Sequence, residues 1–196
     1  MLIDISQEVF SSRTFPGDPQ PEQRFLMETA KGEVCNLTAF SMCAHNGTHI
    51  DAPFHFLQDG RTVDQMVLFP FVGACYVAWH EGELTASDAK RILDRTCSEG
   101  AGKRILVGGD MIVTPDAARV FASAELLLFG NESQTVGPPD APREVHLIML
   151  GAQIVLLEGI VLKGVPEGVY FLNAAPLNLG GCDGAPCRAF LMDRVE

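Results

Sequence analysis

The chain has 196 residues, 47% hydrophobic and 20% charged, a balance that excludes a disordered or low-complexity polymer and leaves room for one domain, 1–196, with a continuous core. Its 25 acidic side chains outnumber the 14 basic ones for a formal charge of -11, so phosphate backbones and anionic headgroups are repelled and neither nucleic acid nor a membrane surface is an expected partner. The longest nearly apolar run, 67–79, is broken by Pro70 and Gly73 and falls short of the ~20 residues a spanning helix needs.

In chain order, the opening Met1-Leu2-Ile3-Asp4-Ile5 alternates like a strand and shows neither the basic region nor the apolar stretch of a secretion signal, which predicts a cytoplasmic protein. Short segments rich in Val, Ile, Leu, Phe or Tyr and bounded by Gly, Pro or Asp predict strands over 2–6, 34–42, 72–78, 103–108, 124–129, 153–162, 168–173 and 186–192. Three helices are expected between them. One covers 85–97, where Thr85 can cap, Asp88 follows three residues later, and Ile92 with Leu93 continues the apolar face. A second opens at Thr114-Pro115-Asp116 and runs to about 122, and a third spans 141–151. Gly17-Asp18 and Gly180-Gly181 read as turns. The strands are irregularly spaced and outnumber the helices, which favours a mixed, barrel-like α/β core over a doubly wound sheet. Cys35, Cys43, Cys75, Cys97, Cys182 and Cys187 form no Cys-x-x-Cys pair and read as reduced, mostly buried thiols.

Of five histidines, three fall in His45-Asn46-Gly47-Thr48-His49-Ile50-Asp51-Ala52-Pro53-Phe54-His55. Asn46-Gly47 signals a turn and Pro53 forbids a continuing helix, so His45 and His49 are not a helical ligand pair. In extended backbone His49 and Asp51 share one face and Ile50 takes the other. Two imidazoles and a carboxylate converging on a point suit a first-row divalent metal with positions left open. His55 lies outside that set and is a candidate proton carrier. Cys43 is either a thiolate ligand or a buried thiol, and the isolated His80 reads as structural or surface.

Farther on, Glu158 interrupts the apolar run 154–162. A buried carboxylate there costs several kcal/mol unless it is paired or bound to a cation. The alternative is a strand-end glutamate turned outward at Gly159. His146 lies in a helical segment among Val145, Leu147, Ile148 and Met149, which implies a packed side chain.

The string at 45–55, His-x-Gly-Thr-His-x-Asp-x-Pro-x-His, resembles the signature of the metal-dependent cyclase family that includes bacterial kynurenine formamidase and isatin hydrolase. Ile3-Asp4-Ile5-Ser6, Phe15-Pro16-Gly17-Asp18-Pro19, His146, Glu158 and the tail 176–188 are similar to that family in the same order, so the resemblance spans nearly the whole chain. It implies the swivelling β/β/α fold and a homodimer or homotetramer. It also implies one or two zinc ions, with manganese as the alternative. His45, His49 and Asp51 would be ligands, Asp51 would bridge in a dinuclear centre, and His146 and Glu158 would complete the second site. His55 matches the family's catalytic histidine. Two segments depart from the pattern, 133–137 and the short stretch 109–113, and both bear on the pocket rather than on the metal chemistry.

The expected function is hydrolysis of a carbon–nitrogen bond in a small amide, as by an arylformamidase acting on N-formylkynurenine or by a cyclic-amide hydrolase. A lactone or cyclic imide hydrolase with the same centre is the alternative, as is a metal- or ligand-binding relative that has lost turnover.

Overall fold

The computed structural model describes residues 1–193. In chain order they form β1 (Leu2–Asp4), β2 (Glu22–Met27), β3 (Leu37–Ser41), β4 (His49–Asp51), β5 (Val72–Trp79), β6 (Gly82–Leu84), α1 (Ala86–Ser98), β7 (Arg104–Gly108), β8 (Met111–Val113), α2 (Pro115–Ser123), β9 (Leu128–Asn131), α3 (Arg143–Gly151), β10 (Val155–Glu158), β11 (Gly168–Asn173), β12 (Gly184–Pro186) and β13 (Phe190–Met192). Nine strands join in one sheet, ordered β1-β13-β11-β5-β7-β9-β10-β4-β12. Its centre, β5, β7, β9 and β10, is parallel, and α1, α2 and α3 are the crossovers that parallel neighbours require. Both flanks are antiparallel.

The helices begin for local reasons. Thr85 and Asp88 form a reciprocal capping box on α1, and the Thr114 hydroxyl accepts from the Ala117 amide ahead of Pro115 in α2. The third starts at Arg143, behind Pro142, slightly later than expected.

Strand alternation divides the core between the two faces of the sheet. Tyr76, Ala78, Ile105, Val107, Phe129 and Leu156 pack against the helix layer. Cys75, Val77, Leu106, Leu128, Val155 and Leu157 point the other way, where they meet Ile5, Ile50, Leu172 and Leu191. That second face is covered by the sheet itself, which curls until its flanks approach. The Val161 amide just past β10 donates to the Ile5 carbonyl just past β1 at 2.9 Å, and the Gln7 amide beyond β1 donates to the Thr48 hydroxyl just before β4 at 2.9 Å. The mixed, barrel-like α/β core is therefore present, as a half-barrel with one layer of helices.

Several boundaries differ from the sequence reading. From β5 to β10 strand and helix alternate regularly, and the irregular spacing came from the flanks and the short β6/β8 pair. The strand expected at 124–129 is displaced to β9, and the one expected at 153–162 shrinks to β10. Ala124 caps α2, and after Glu158 the chain turns at Gly159 (φ 68°) while Ile160 and Leu162 stay buried without being strand. Likewise 34–42 reduces to β3, and 186–192 splits between the end of β12 and β13. The hairpin of β2 with β3 is largely exposed, so β2 carries no buried-face alternation to read. The thiols are free, but only Cys75 is fully buried, because Cys35 lies in the exposed link between β2 and β3 and Cys97 near the solvent-facing end of α1. Among the described residues no helix is long and apolar enough to cross a membrane.

Candidate metal centre

Sheet register brings the first donors together. β4 lies between β10 and β12, with His49 opposite Glu158 and Pro186, Ile50 opposite Leu157 and Ala185, and Asp51 opposite Leu156 and Gly184. Because side chains alternate, Ile50 and Leu157 enter the core on the curled side, while His49, Asp51 and Glu158 face the helix layer. His146 on α3 meets them there, and all four residues are buried.

The imidazoles stand close to both carboxylates without forming good hydrogen bonds to them. His49 Nε2 is 3.5 Å from Asp51 Oδ1 and 3.6 Å from Glu158 Oε2, and His146 Nε2 is 3.5 Å from Asp51 Oδ2 and 3.4 Å from Glu158 Oε1. His49 Nε2 and Asp51 Oδ2 are buried atoms without a hydrogen-bond partner. Buried polar atoms are normally satisfied, so two orphans aimed at one point fit a cation between them.

The outer hydrogen bonds fit the same assignment. His49 Nδ1–H donates to the Gly47 carbonyl at 3.0 Å and His146 Nδ1–H to the Pro142 carbonyl at 2.8 Å, which leaves Nε2 of each ring facing the cluster. Glu158 Oε1 accepts from the Val136 amide at 2.7 Å, so it is not an outward strand end. Gln134 donates to the Gly47 carbonyl at 2.9 Å and accepts from Gln7 at 2.6 Å. Thr48 and Gln7 both donate to the Gly159 carbonyl, at 2.7 Å each. These bonds fasten the turn that carries His45 and His49.

His45 and His55 form the outer part of the cluster. His45 Nδ1 lies 2.8 Å from Asp51 Oδ1 and its Nε2 lies 2.9 Å from Asp183 Oδ2. His55 follows Pro53 in a 3-10 turn, and its Nδ1 is 3.0 Å from the same Asp183 oxygen. The His45 and His55 rings lie 4.0 Å apart. Phe56 stacks on His146 at 4.5 Å and meets His55 edge-on at 4.6 Å. The donors thus fall into two groups sharing Asp51, one with His49 and Glu158 and one with His45 and His55.

Without a cation, protons must balance the carboxylates. Burial disfavours charge on His45, His49 and His146, but their carboxylate partners outweigh it and push each pKa up to about 10. For Asp51, burial opposes ionisation, and pairing with His146, His45 and His49 overrides it and holds the carboxyl well below its usual range. Glu158 is lowered by His146 and His49 against both burial and the charge of Asp51. Asp183 is held well below the usual range by His45 and His55.

All six residues singled out in the sequence, His45, His49, Asp51, His55, His146 and Glu158, therefore converge. Cys43 instead lies 3.8 Å from Asp18, and His80 hydrogen-bonds to the Glu83 carbonyl. Asp183, Phe56 and the Gln7–Gln134 brace were not foreseen. Asp183 had a weak signal, an acid between Gly181 and Gly184, but that pattern also reads as a plain turn.

The chain is similar to known proteins over its whole length. A family model described as "Putative cyclase" matches residues 3–136. A kynurenine formamidase from Salinibacter ruber is 34% identical over 100% of this chain and 99% of its own. Among solved structures, one described as a potential metal-dependent hydrolase with cyclase activity superposes with a TM-score of 0.84 at 28% identity, covering 100% of this chain and 99% of that one. An isatin hydrolase bound to the product analogue thioisatinate gives a TM-score of 0.82 over 98% and 92% of the two chains, and at 19% identity that likeness speaks for the fold alone.

Proposed function

The chain is a hydrolase belonging to the cyclase family, and from that premise we propose that, as a single domain, it hydrolyses the carbon–nitrogen bond of a small N-formyl arylamide at a divalent metal centre. The ligands are His45, His49, Asp51, His146 and Glu158, with zinc as the first choice of ion, manganese as the second, and room in the donor set for one or two. The observation that carries this reading is the pair of orphaned buried atoms, His49 Nε2 and Asp51 Oδ2, among converging imidazoles and carboxylates.

A divalent ion in such a set supplies Lewis acidity, bringing the pKa of water toward ~7 and polarising an amide carbonyl. The chain's own groups do the rest. Carbonyl-tied Nδ1 atoms hold the His49 and His146 rings in one tautomer and orientation. Burial of Asp51 and Glu158 keeps bulk water from competing for them. His55, partly exposed at the rim, takes the proton of the attacking water at Nε2 and returns it to the departing nitrogen.

The same reading includes a homodimer or homotetramer and a cytoplasmic location. Support for assembly comes from the β2/β3 hairpin, which joins no other strand among the described residues and exposes Phe25, Leu26 and Phe40. Six free cysteines suit a reducing compartment.

The test is an assay of the purified protein on N-formylanilides, lactams and lactones, with zinc or manganese added and after chelation. Formanilide turnover that disappears with chelator and returns with metal is expected. Turnover of lactones alone, or turnover indifferent to metal, overturns the reading.

A further inference from the structure

Asp183 stands at the meeting point of the two outer histidines. It immediately precedes β12, whose Gly184 is in register with Asp51, and its own carbonyl accepts from the Ala52 amide at 2.9 Å. Ala52 caps the 3-10 turn that carries His55. The Asp183 backbone is therefore tied both to the strand bearing Asp51 and to the turn bearing His55. From that position one oxygen, Oδ2, reaches His45 Nε2 at 2.9 Å and His55 Nδ1 at 3.0 Å. Gly184 completes the arrangement, because a Cβ there would come within 2.7 Å of His45 Cε1 and of the Ile50 carbonyl oxygen.

An ionised carboxylate can only accept hydrogen bonds, so each ring nitrogen facing it carries a hydrogen. A neutral imidazole has one N–H, and its other nitrogen is then bare. We propose that Asp183 is a positioning residue that fixes the tautomers of His45 and His55 in opposite senses. It accepts Nε2–H from His45, so that a bound metal displaces only the Nδ1 hydrogen that faces Asp51 in the metal-free protein and takes Nδ1 as its ligand atom, and it accepts Nδ1–H from His55, leaving Nε2 as the proton acceptor. The His45 half of this assignment rests on the metal centre proposed above.

The assignment accounts for a difference among the ligand histidines. His49 and His146 have Nδ1 tied to backbone carbonyls and turn Nε2 inward. His45 has no such carbonyl bond, and Nδ1 is the atom it turns toward Asp51. A single carboxylate thus serves the metal ligand and the proton carrier together, and holds their rings 4.0 Å apart.

The experiment uses zinc-loaded full-length protein, with long-range proton–nitrogen NMR of the imidazole rings in alkaline buffer and steady-state kinetics on an N-formylanilide. In wild type, His55 should show a protonated Nδ1 and a bare Nε2. In Asp183→Ala that preference should disappear, kcat should fall on the order of 10²-fold with KM changed little, and zinc affinity should fall about 10-fold or more. Asp183→Asn, which keeps the shape, guards against a folding defect and should show the same effects in weaker form. Zinc bound in a wild type whose His55 carries its hydrogen on Nε2 overturns the proposal and leaves the metal centre standing. So does either variant with wild-type tautomers and kcat. A wild type that binds no zinc overturns the centre and the His45 half with it, while the His55 tautomer still decides the other half.

Discussion

His146 Nε2 on α3 lies 3.4 Å from Glu158 Oε1 at the end of β10, and both side chains are sealed from solvent. Glu158 is also paired across the sheet with His49, so its carboxylate joins a helix to two strands. Glu158→Gln keeps the volume and removes the charge. Elemental analysis of that variant should find metal content reduced and formanilide turnover lost, with a far-ultraviolet spectrum like wild type. Full metal and full activity would make Glu158 a structural residue.

His49 contributes the orphaned Nε2 from the centre of the cluster. His49→Ala removes that donor and leaves Glu158 and Asp51 facing each other. Purified from medium containing zinc, it should hold markedly less metal than wild type. Equal metal in the two proteins would exclude His49 from the centre.

His55 stands apart from the most buried donors, and its bond to Asp183 orients it at the rim. His55→Ala should retain metal while kcat falls by about 10²-fold or more, the usual scale of a general acid–base contribution. Loss of the metal instead would reassign His55 as a ligand, in keeping with its place beside His45 and Asp51.

The raised histidine pKa values set the pH response of the metal-free protein. A group with a folded value of about 10 against 6.5 contributes its full stabilisation below 6.5 and loses it as pH rises toward about 10. Asp51 works in the other direction, contributing above its ordinary value of 3.8 and losing that contribution in stronger acid. The chelated protein should therefore melt highest in mildly acidic buffer and progressively lower above pH 6.5. Zinc must displace the histidine protons, so the increase in Tm that it gives should grow over the same alkaline range. Calorimetry with and without zinc reads both trends, and a flat Tm in the chelated protein would contradict the charged imidazoles.

Gly159 lies at φ 68° against the Gly47 carbonyl and the Gln134 amide, so an added Cβ meets both strain and collision. Gly159→Ala should lose about 1–3 kcal/mol of stability in urea unfolding, and should weaken metal binding because Gly47 carries the bond that orients His49. An unchanged urea midpoint would show that the turn yields freely.

Much of the site was legible because its chemistry is local. Asn46-Gly47 and the two-residue spacing of His49 and Asp51 dictate a turn and then a short extended segment, Pro53 excludes a continuing helix, and that is how the chain runs. Glu158 was visible as a carboxylate where an apolar run should not carry one. Capping chemistry likewise marked the starts of α1 and α2. What the tertiary structure decided was partnership across distance. Only the β4–β10 register sets Glu158 opposite His49, and only the packing of α3 brings His146 to the same point. Asp183 could not be distinguished from an ordinary turn acid until β12 paired with β4 and set its carboxylate between His45 and His55. Periodicity and turn chemistry specify which way a side chain faces within its own element, whereas the curl of a nine-stranded sheet decides which faces meet.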